Sequence, residues 1–168
     1  RVRKLASEPG DFVWVGLHDP TSEELDAVQD LYDLHALAVE DALAAHQRPK
    51  VERYADSLFI VLKTLWYVDE DDAVETGEIN IFVGRKYVVT VRHGEGSELH
   101  TRRIDLERDA KVLGHGPSAV VYTVCDRVVD DYEGERKRWI PGLLISRETF
   151  RRHLEEARRA GYELASLE

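Results

Sequence analysis

Residues 56–93 read DSLFIVLKTLWYVDEDDAVETGEINIFVGRKYVVTVRH. Asp56 to Val68 is rich in β-branched and aromatic residues, the composition that suits a pleated, half-buried surface, and reads as a strand. INIFVG (79–84) and KYVVTVRH (86–93) have the same character, separated by a tight turn at Gly84 and Arg85. The intervening DEDDAVETGE (69–78) is acidic and reads as a hairpin loop. Three consecutive strands of this kind predict an antiparallel meander. A calcium loop needs oxygens at alternate positions, a glycine at the sixth and a glutamate at the twelfth. Asp69 to Glu75 lacks that order and reads as a solvated hairpin tip.

Upstream, FVWVGL (12–17) reads as a buried strand. Thr21, followed three residues later by Glu24, forms a capping box at the start of a helix. Leu25, Val28, Leu31 and Tyr32 then recur at helical spacing, laying one stripe on a core. Leu34 to Ala44 is a second, shorter helix. The polar turn HQRPK (46–50) follows, and Pro49 keeps that helix from continuing. Downstream, SELHTRRIDLERDAKVLG alternates charge with Leu99, Ile104, Leu106 and Leu113, the pattern of a surface helix. Pro117 occupies the first position of the next helix. Val121, Val124, Cys125, Val128 and Tyr132 share one of its faces. From Glu133 the pattern breaks at Gly134, Pro141 and Gly142. Ser146 reads as the cap of a further helix carrying Phe150, Leu154 and Ala157 and ending at Gly161, with YELASL as a short strand. The division is therefore a domain over 1–132 and a divergent tail over 133–168.

With 168 residues the chain suits one compact domain. Acids outnumber bases 33 to 23, a net charge of -10, which argues against a nucleic-acid partner, because phosphate recognition needs a basic face. The balance is compatible with divalent cations or basic partners. Cys125 is the single cysteine, so neither an intrachain disulfide nor a thiolate metal cluster is expected. The apolar run Leu58 to Val68 is interrupted by Lys63 and falls short of the ~18 residues that span a bilayer. No signal peptide is recognisable. The absence of methionine leads us to expect a fragment or a processed chain.

An enzyme is not expected. The seven histidines are scattered and form no metal motif. GHGP and HGEG are turns, not phosphate loops. Ser118 and Ser146 lack a histidine–aspartate pattern. Four acids remain as metal candidates: Glu40, Asp41, Asp126 and Asp130. Neighbouring helical residues diverge by ~100°, so Glu40 and Asp41 cannot both enter the core, and at least one faces a groove or a partner. Asp126 and Asp130, at i and i+4, share a face at a cost of ~0.2–0.5 kcal/mol. Mg2+ binds hard oxygens and often needs only one or two carboxylates, so an acid pair at a subunit seam would suit it. A plain solvated face is the alternative for the same residues.

The segment FVWVGLHDPTSEELDAVQDLYDLHALAVEDALAAHQRPKVERYADSLFIVLKTLWY, with INIFVGRKYVVTVR and VVYTVCDRVVDDY, resembles the cytoplasmic domain of CorA-type magnesium and cobalt transporters. WVGLHDPT, LHALAVED and above all HQRPKVERY carry the likeness, which runs from about Phe12 to Tyr132. It implies an α+β fold, an αβα sandwich whose mixed, largely antiparallel sheet is flanked by helices. It implies a pentamer at the cytoplasmic face of the cell membrane, around a pore formed by later helices. Divalent cations, Mg2+ first and Co2+, Ni2+ or Zn2+ after it, would be both cargo and signal. Metal between adjacent cytoplasmic domains would hold the pore shut. By position, Asp41 matches the family's principal inter-subunit carboxylate, while Glu40 and Asp126 match a second, weaker site. After Tyr132 the sequence reads EGERKRWIPGLLISRETF instead of the family's long acidic stalk helix, and only RVRKLASEPG precedes Phe12. The tail weakly resembles the start of polysaccharide deacetylases without their catalytic Asp and His motifs. The expectation is a Mg2+-sensing regulatory domain. The alternative is a soluble adaptor that reuses the fold without sensing metal.

Overall fold

A computed structural model describes residues 8, 10–68, 73–96 and 98–135. In chain order the elements are β1 (Val13–His18), α1 (Ser22–Tyr32), α2 (Ala36–Ala44), β2 (Lys50–Tyr54), β3 (Ser57–Val68), β4 (Ala73–Val83), β5 (Tyr87–His93), α3 (His100–Arg108), α4 (Ala110–Leu113) and α5 (Pro117–Glu135). The strands form one sheet in the order β1-β5-β4-β3-β2. β2 to β5 pair antiparallel in sequence, the expected meander with one hairpin added, and β1 joins β5 in parallel. The sheet is therefore mixed and largely antiparallel, and helices cover both of its faces.

Strand alternation divides the core. Leu58, Ile60, Leu62, Ile79, Ile81 and Val88 face α3 and α5, where they meet Leu106, Val120, Val124, Cys125 and Val128. Phe59, Val61, Phe82, Val89 and Val91 face α1 and α2, where they meet Leu25, Leu34, Ala38, Val39 and Ala42. Of the expected apolar face of α5, Val121, Val124, Cys125 and Val128 are buried. On α1 the stripe is narrower than its spacing predicts, because Leu31 is 43% exposed while Leu25 is fully buried.

Local chemistry sets the element ends. The Thr21 hydroxyl accepts from the Glu24 backbone N–H, and the Glu24 carboxylate accepts from the Thr21 N–H, completing the capping box. The single surface helix expected over 97–114 is two helices, because the Asp109 carboxylate accepts from the N–H groups of Lys111 and Val112 and starts α4 afresh. The acidic loop is shorter than expected. β4 begins at Ala73 and pairs with β3 from Val68 onward, so residues 73–78 are strand. KVERY, which carries no long apolar run, is also strand, paired with β3 from Lys50 to Tyr54. The helix, strand and deacetylase-like features expected after residue 135 lie outside the described residues, as does the tip of the β3–β4 hairpin.

Gly77 explains part of this extension. A Cβ there would lie 2.5 Å from the His93 carbonyl oxygen and 2.6 Å from the Thr64 hydroxyl, with the Trp66 ring at 3.1 Å. The strand can pass beneath Trp66 only without a side chain. Gly77→Ala is expected to destabilise the domain by about 1–3 kcal/mol in urea unfolding, the usual range for overpacking. Gly16→Ala, whose Cβ would meet only Thr90 Oγ1 at 3.6 Å, is expected to stay within about 0.5 kcal/mol of the parent.

Candidate metal-binding helix

The site begins with a helix that ends under constraint. α2 is short and apolar on its inner face, where Ala38, Val39 and Ala42 are buried. Its exit is sharp: Ala45 and His46 both adopt positive φ, 50° and 58°. Such backbone persists in non-glycine residues only where the surroundings over-determine it. Glu78 and His93 supply that determination. They are cross-strand partners on β4 and β5, on the face that carries α2. The Glu78 side chain is 1% exposed, and its Oε2 accepts from the Gln47 backbone N–H at 2.8 Å and from the Lys63 ammonium at 2.7 Å. Its Oε1 accepts from the Asn80 amide at 2.9 Å. His93 Nε2 lies 2.7 Å from the Ala42 carbonyl oxygen, and Nδ1 lies 3.2 Å from the Asp19 carboxylate. The last turn of α2 and the turn after it are thus fastened to two adjacent strands. In the sequence, Glu78 stood at the end of an apparent acidic loop, and only the long β3–β4 register turns it inward.

The helix held this way carries Glu40 and Asp41. Glu40 is exposed. Asp41 is half-buried, and its Oδ2 accepts from the Lys50 ammonium at 2.6 Å. Lys50 also lies 3.1 Å from Glu52 Oε2 and 5.8 Å from the centre of the Phe59 ring. The Tyr54 hydroxyl donates to the same Glu52 oxygen at 2.7 Å. Burial would lower the Lys50 pKa, but the hydrogen bonds and charges of Asp41 and Glu52 outweigh it and leave the pKa raised. The Tyr54 phenol is pushed up to about 12, by burial first and by Glu52 second, so it remains a donor at neutral pH. Asp41 is therefore a half-buried carboxylate whose cationic partner is the Lys50 ammonium.

Asp126 and Asp130 lie on α5, the layer across the sheet from α2. Asp130 is paired with Arg102. Asp126 is half-buried beside Cys125, and burial, with help from the Asp126 charge, pushes the Cys125 thiol up to about 12. Cys125 is thus a core residue, as its sequence context suggests. Among the described residues no three His, Cys, Asp or Glu side chains gather as a metal group. The four candidate acids form two separate pairs. A cleft of about 540 Å³ contains none of them. It lies by Tyr32, Tyr54, Arg85 and Tyr87, at the opposite end of β5 from His93.

The fold is thus an αβα sandwich, a mixed sheet between two helical layers, with α2 clamped to one face. The chain belongs to the family described as CorA-like Mg2+ transporter protein, whose profile matches residues 9–134. It is 33% identical over 119 residues to "Putative metal ion transporter YfjQ" of Bacillus subtilis, covering 71% of this chain and 36% of that one. It is 26% identical over 118 residues to the cobalt/magnesium transport protein CorA of Thermotoga maritima, covering 70% and 33%. The chain spans about a third of the length of these relatives. The soluble domain of CorA from Methanocaldococcus jannaschii shares the fold, with a TM-score of 0.62 at 17% identity, covering 89% of this chain and 55% of that one. Among the described residues no helix is long and apolar enough to cross a membrane.

Glu78→Ala is expected to cost about 3 kcal/mol, because it leaves the part-buried Lys63 ammonium and the Gln47 N–H without their carboxylate partner. The local signature is faster amide exchange at Gln47 under native conditions. Unchanged protection at Gln47 would show that the clamp does not hold the turn.

Proposed function

We propose that the chain is the cytoplasmic Mg2+-sensing part of a CorA-type divalent-cation transporter, and that α2 carries its sensor. The observation that carries this reading is Asp41: a half-buried carboxylate, on a helix fixed to the sheet, paired with the Lys50 ammonium. Rigid support matters, since an acid that reaches a neighbouring subunit must keep its position in order to bind in one arrangement and not another.

Each chain carries a net charge of -10, so copies around an axis repel. A divalent cation between them would supply the positive charge that holds the closed assembly. Asp41 would be the principal ligand on this chain, and Glu40 an adjacent one exposed to the seam. Asp126, on the far helical layer, would serve a neighbour's α2 rather than its own, because the sheet separates the two within one chain. Asp130, already engaged by Arg102, would take part only by releasing that pair. In this reading 1–132 is the sensor domain and 133–168 a separate tail. Gating follows only if metal favours the closed arrangement by its differential affinity. Transport of Mg2+ or Co2+, a pentameric assembly and a place at the inner membrane face belong to the same proposal.

Light scattering and thermal melts in chelator and in millimolar Mg2+ test it. Mass or melting temperature is expected to rise with Mg2+. Asp41→Ala should abolish the rise and Glu40→Ala reduce it, neither unfolding the domain. Equal rises in both variants and the parent would remove α2 as the sensor, and no rise in the parent would favour a soluble adaptor that reuses the fold without sensing metal.

A further inference from the structure

Lys50 stands where a competing cation would stand. Its ammonium is 2.6 Å from Asp41 Oδ2 and 3.1 Å from Glu52 Oε2, with both the lysine and the aspartate side chains 27% exposed. The position is built. β2 register sets Lys50 opposite Val61, on the face that carries α2. The Phe59 ring lies below the ammonium, and the Tyr54 hydroxyl holds Glu52 in place. Asp41 comes from a helix whose end is fastened by Glu78 and His93. One positive charge therefore sits between two carboxylates that would otherwise repel across the α2–β2 junction.

We propose that Lys50 is an internal counter-ion that competes with divalent cations for Asp41, and that Glu52 is the carboxylate to which the ammonium retires when Asp41 is taken. This rests on the reading of Asp41 as a metal ligand and adds how its affinity is set. The exchange needs no large rearrangement. The ammonium already touches Glu52, so a small rotation of a flexible four-carbon stem transfers it wholly to that partner. A free Asp41 carboxylate would bind a divalent cation more strongly than one neutralised by an adjacent ammonium. The cost of displacing a half-buried ion pair is the amount by which Lys50 weakens the site. Glu52 has the opposite effect on the balance, since it stabilises the displaced lysine. Removing Glu52 would leave Asp41 as the sole partner of Lys50 and make the exchange harder.

Mn2+ is the probe, with bound and free ion separated by electron paramagnetic resonance and each variant checked by thermal melting. Lys50→Met, which keeps the stem and removes the charge, is expected to tighten Mn2+ binding roughly five- to tenfold. Glu52→Gln is expected to weaken it roughly two- to fivefold. Asp41→Asn should lose the binding in both the parent and the Lys50→Met background. If Asp41→Asn weakens binding but Lys50→Met leaves it unchanged or weaker, the exchange is refuted while Asp41 remains a ligand. If Asp41→Asn binds Mn2+ like the parent, the reading of Asp41 fails and the exchange fails with it. Should Lys50→Met melt well below the parent, Lys50→Gln provides the second neutral variant, with the same expected sign.

Discussion

The buried carboxylate of Glu78 is the constraint on which the arrangement depends. A charge taken out of water must be met by partners of good geometry, or its desolvation cost dominates. Here the partners come from three places: the adjacent strand through Lys63, the same strand through Asn80, and the turn after α2 through Gln47. The last of these is a backbone group, so satisfying Glu78 fixes a chain path and not merely a side chain. With His93 gripping the Ala42 carbonyl a few residues earlier, the end of α2 has little freedom to slide over the sheet. The positive φ values at Ala45 and His46 are the conformational cost of that attachment.

The clamp also explains why the sheet carries polar residues on an otherwise apolar face. Phe59, Val61, Phe82, Val89 and Val91 pack beneath α1 and α2, yet the same face continues into Lys63, Glu78 and His93. An apolar row would bury as well, but it would not choose among neighbouring registers of the helix. Directional bonds to Gln47 and Ala42 do choose. Asp41 on α2 thereby inherits its position from the sheet. Asp126 belongs to a different helical layer and is placed by the packing of α5 alone.

Much of the fold was legible because period and composition agree in the core elements. β3 and β5 declare themselves by β-branched and aromatic residues, α1 by its capping box, and α5 by proline at its start and an apolar face. What was not legible depends on pairing. Ala73 to Glu78 has the local composition of a loop and becomes strand because β3 is long enough to pair with it and Gly77 lets Trp66 lie close. KVERY has one aliphatic residue and becomes strand because β3 offers an edge. The same limit applies to the site. Glu40 and Asp41 stand out in sequence as adjacent acids on an apolar helix. Glu78 gives no such signal, because its meaning lies in a turn thirty-one residues away in sequence.

The local electrostatics follow from these attachments. If α2 were free to tilt, Asp41 and Glu52 could separate and each take water, and Lys50 could leave with either. Fixing α2 at its end removes that escape and keeps two carboxylates within reach of a single ammonium. The arrangement is balanced, because one positive charge serves two negative ones and a second cation at Asp41 would leave both pairs satisfied. A sensor has to release its ion as well as bind it, and tight binding to both states shifts no equilibrium. In the proposed exchange, a lysine held between two acids lowers affinity without removing the ligand, and it does so equally in every copy of the chain. In the proposed sensor, any preference for one assembled state then comes from what a neighbouring subunit adds to Asp41.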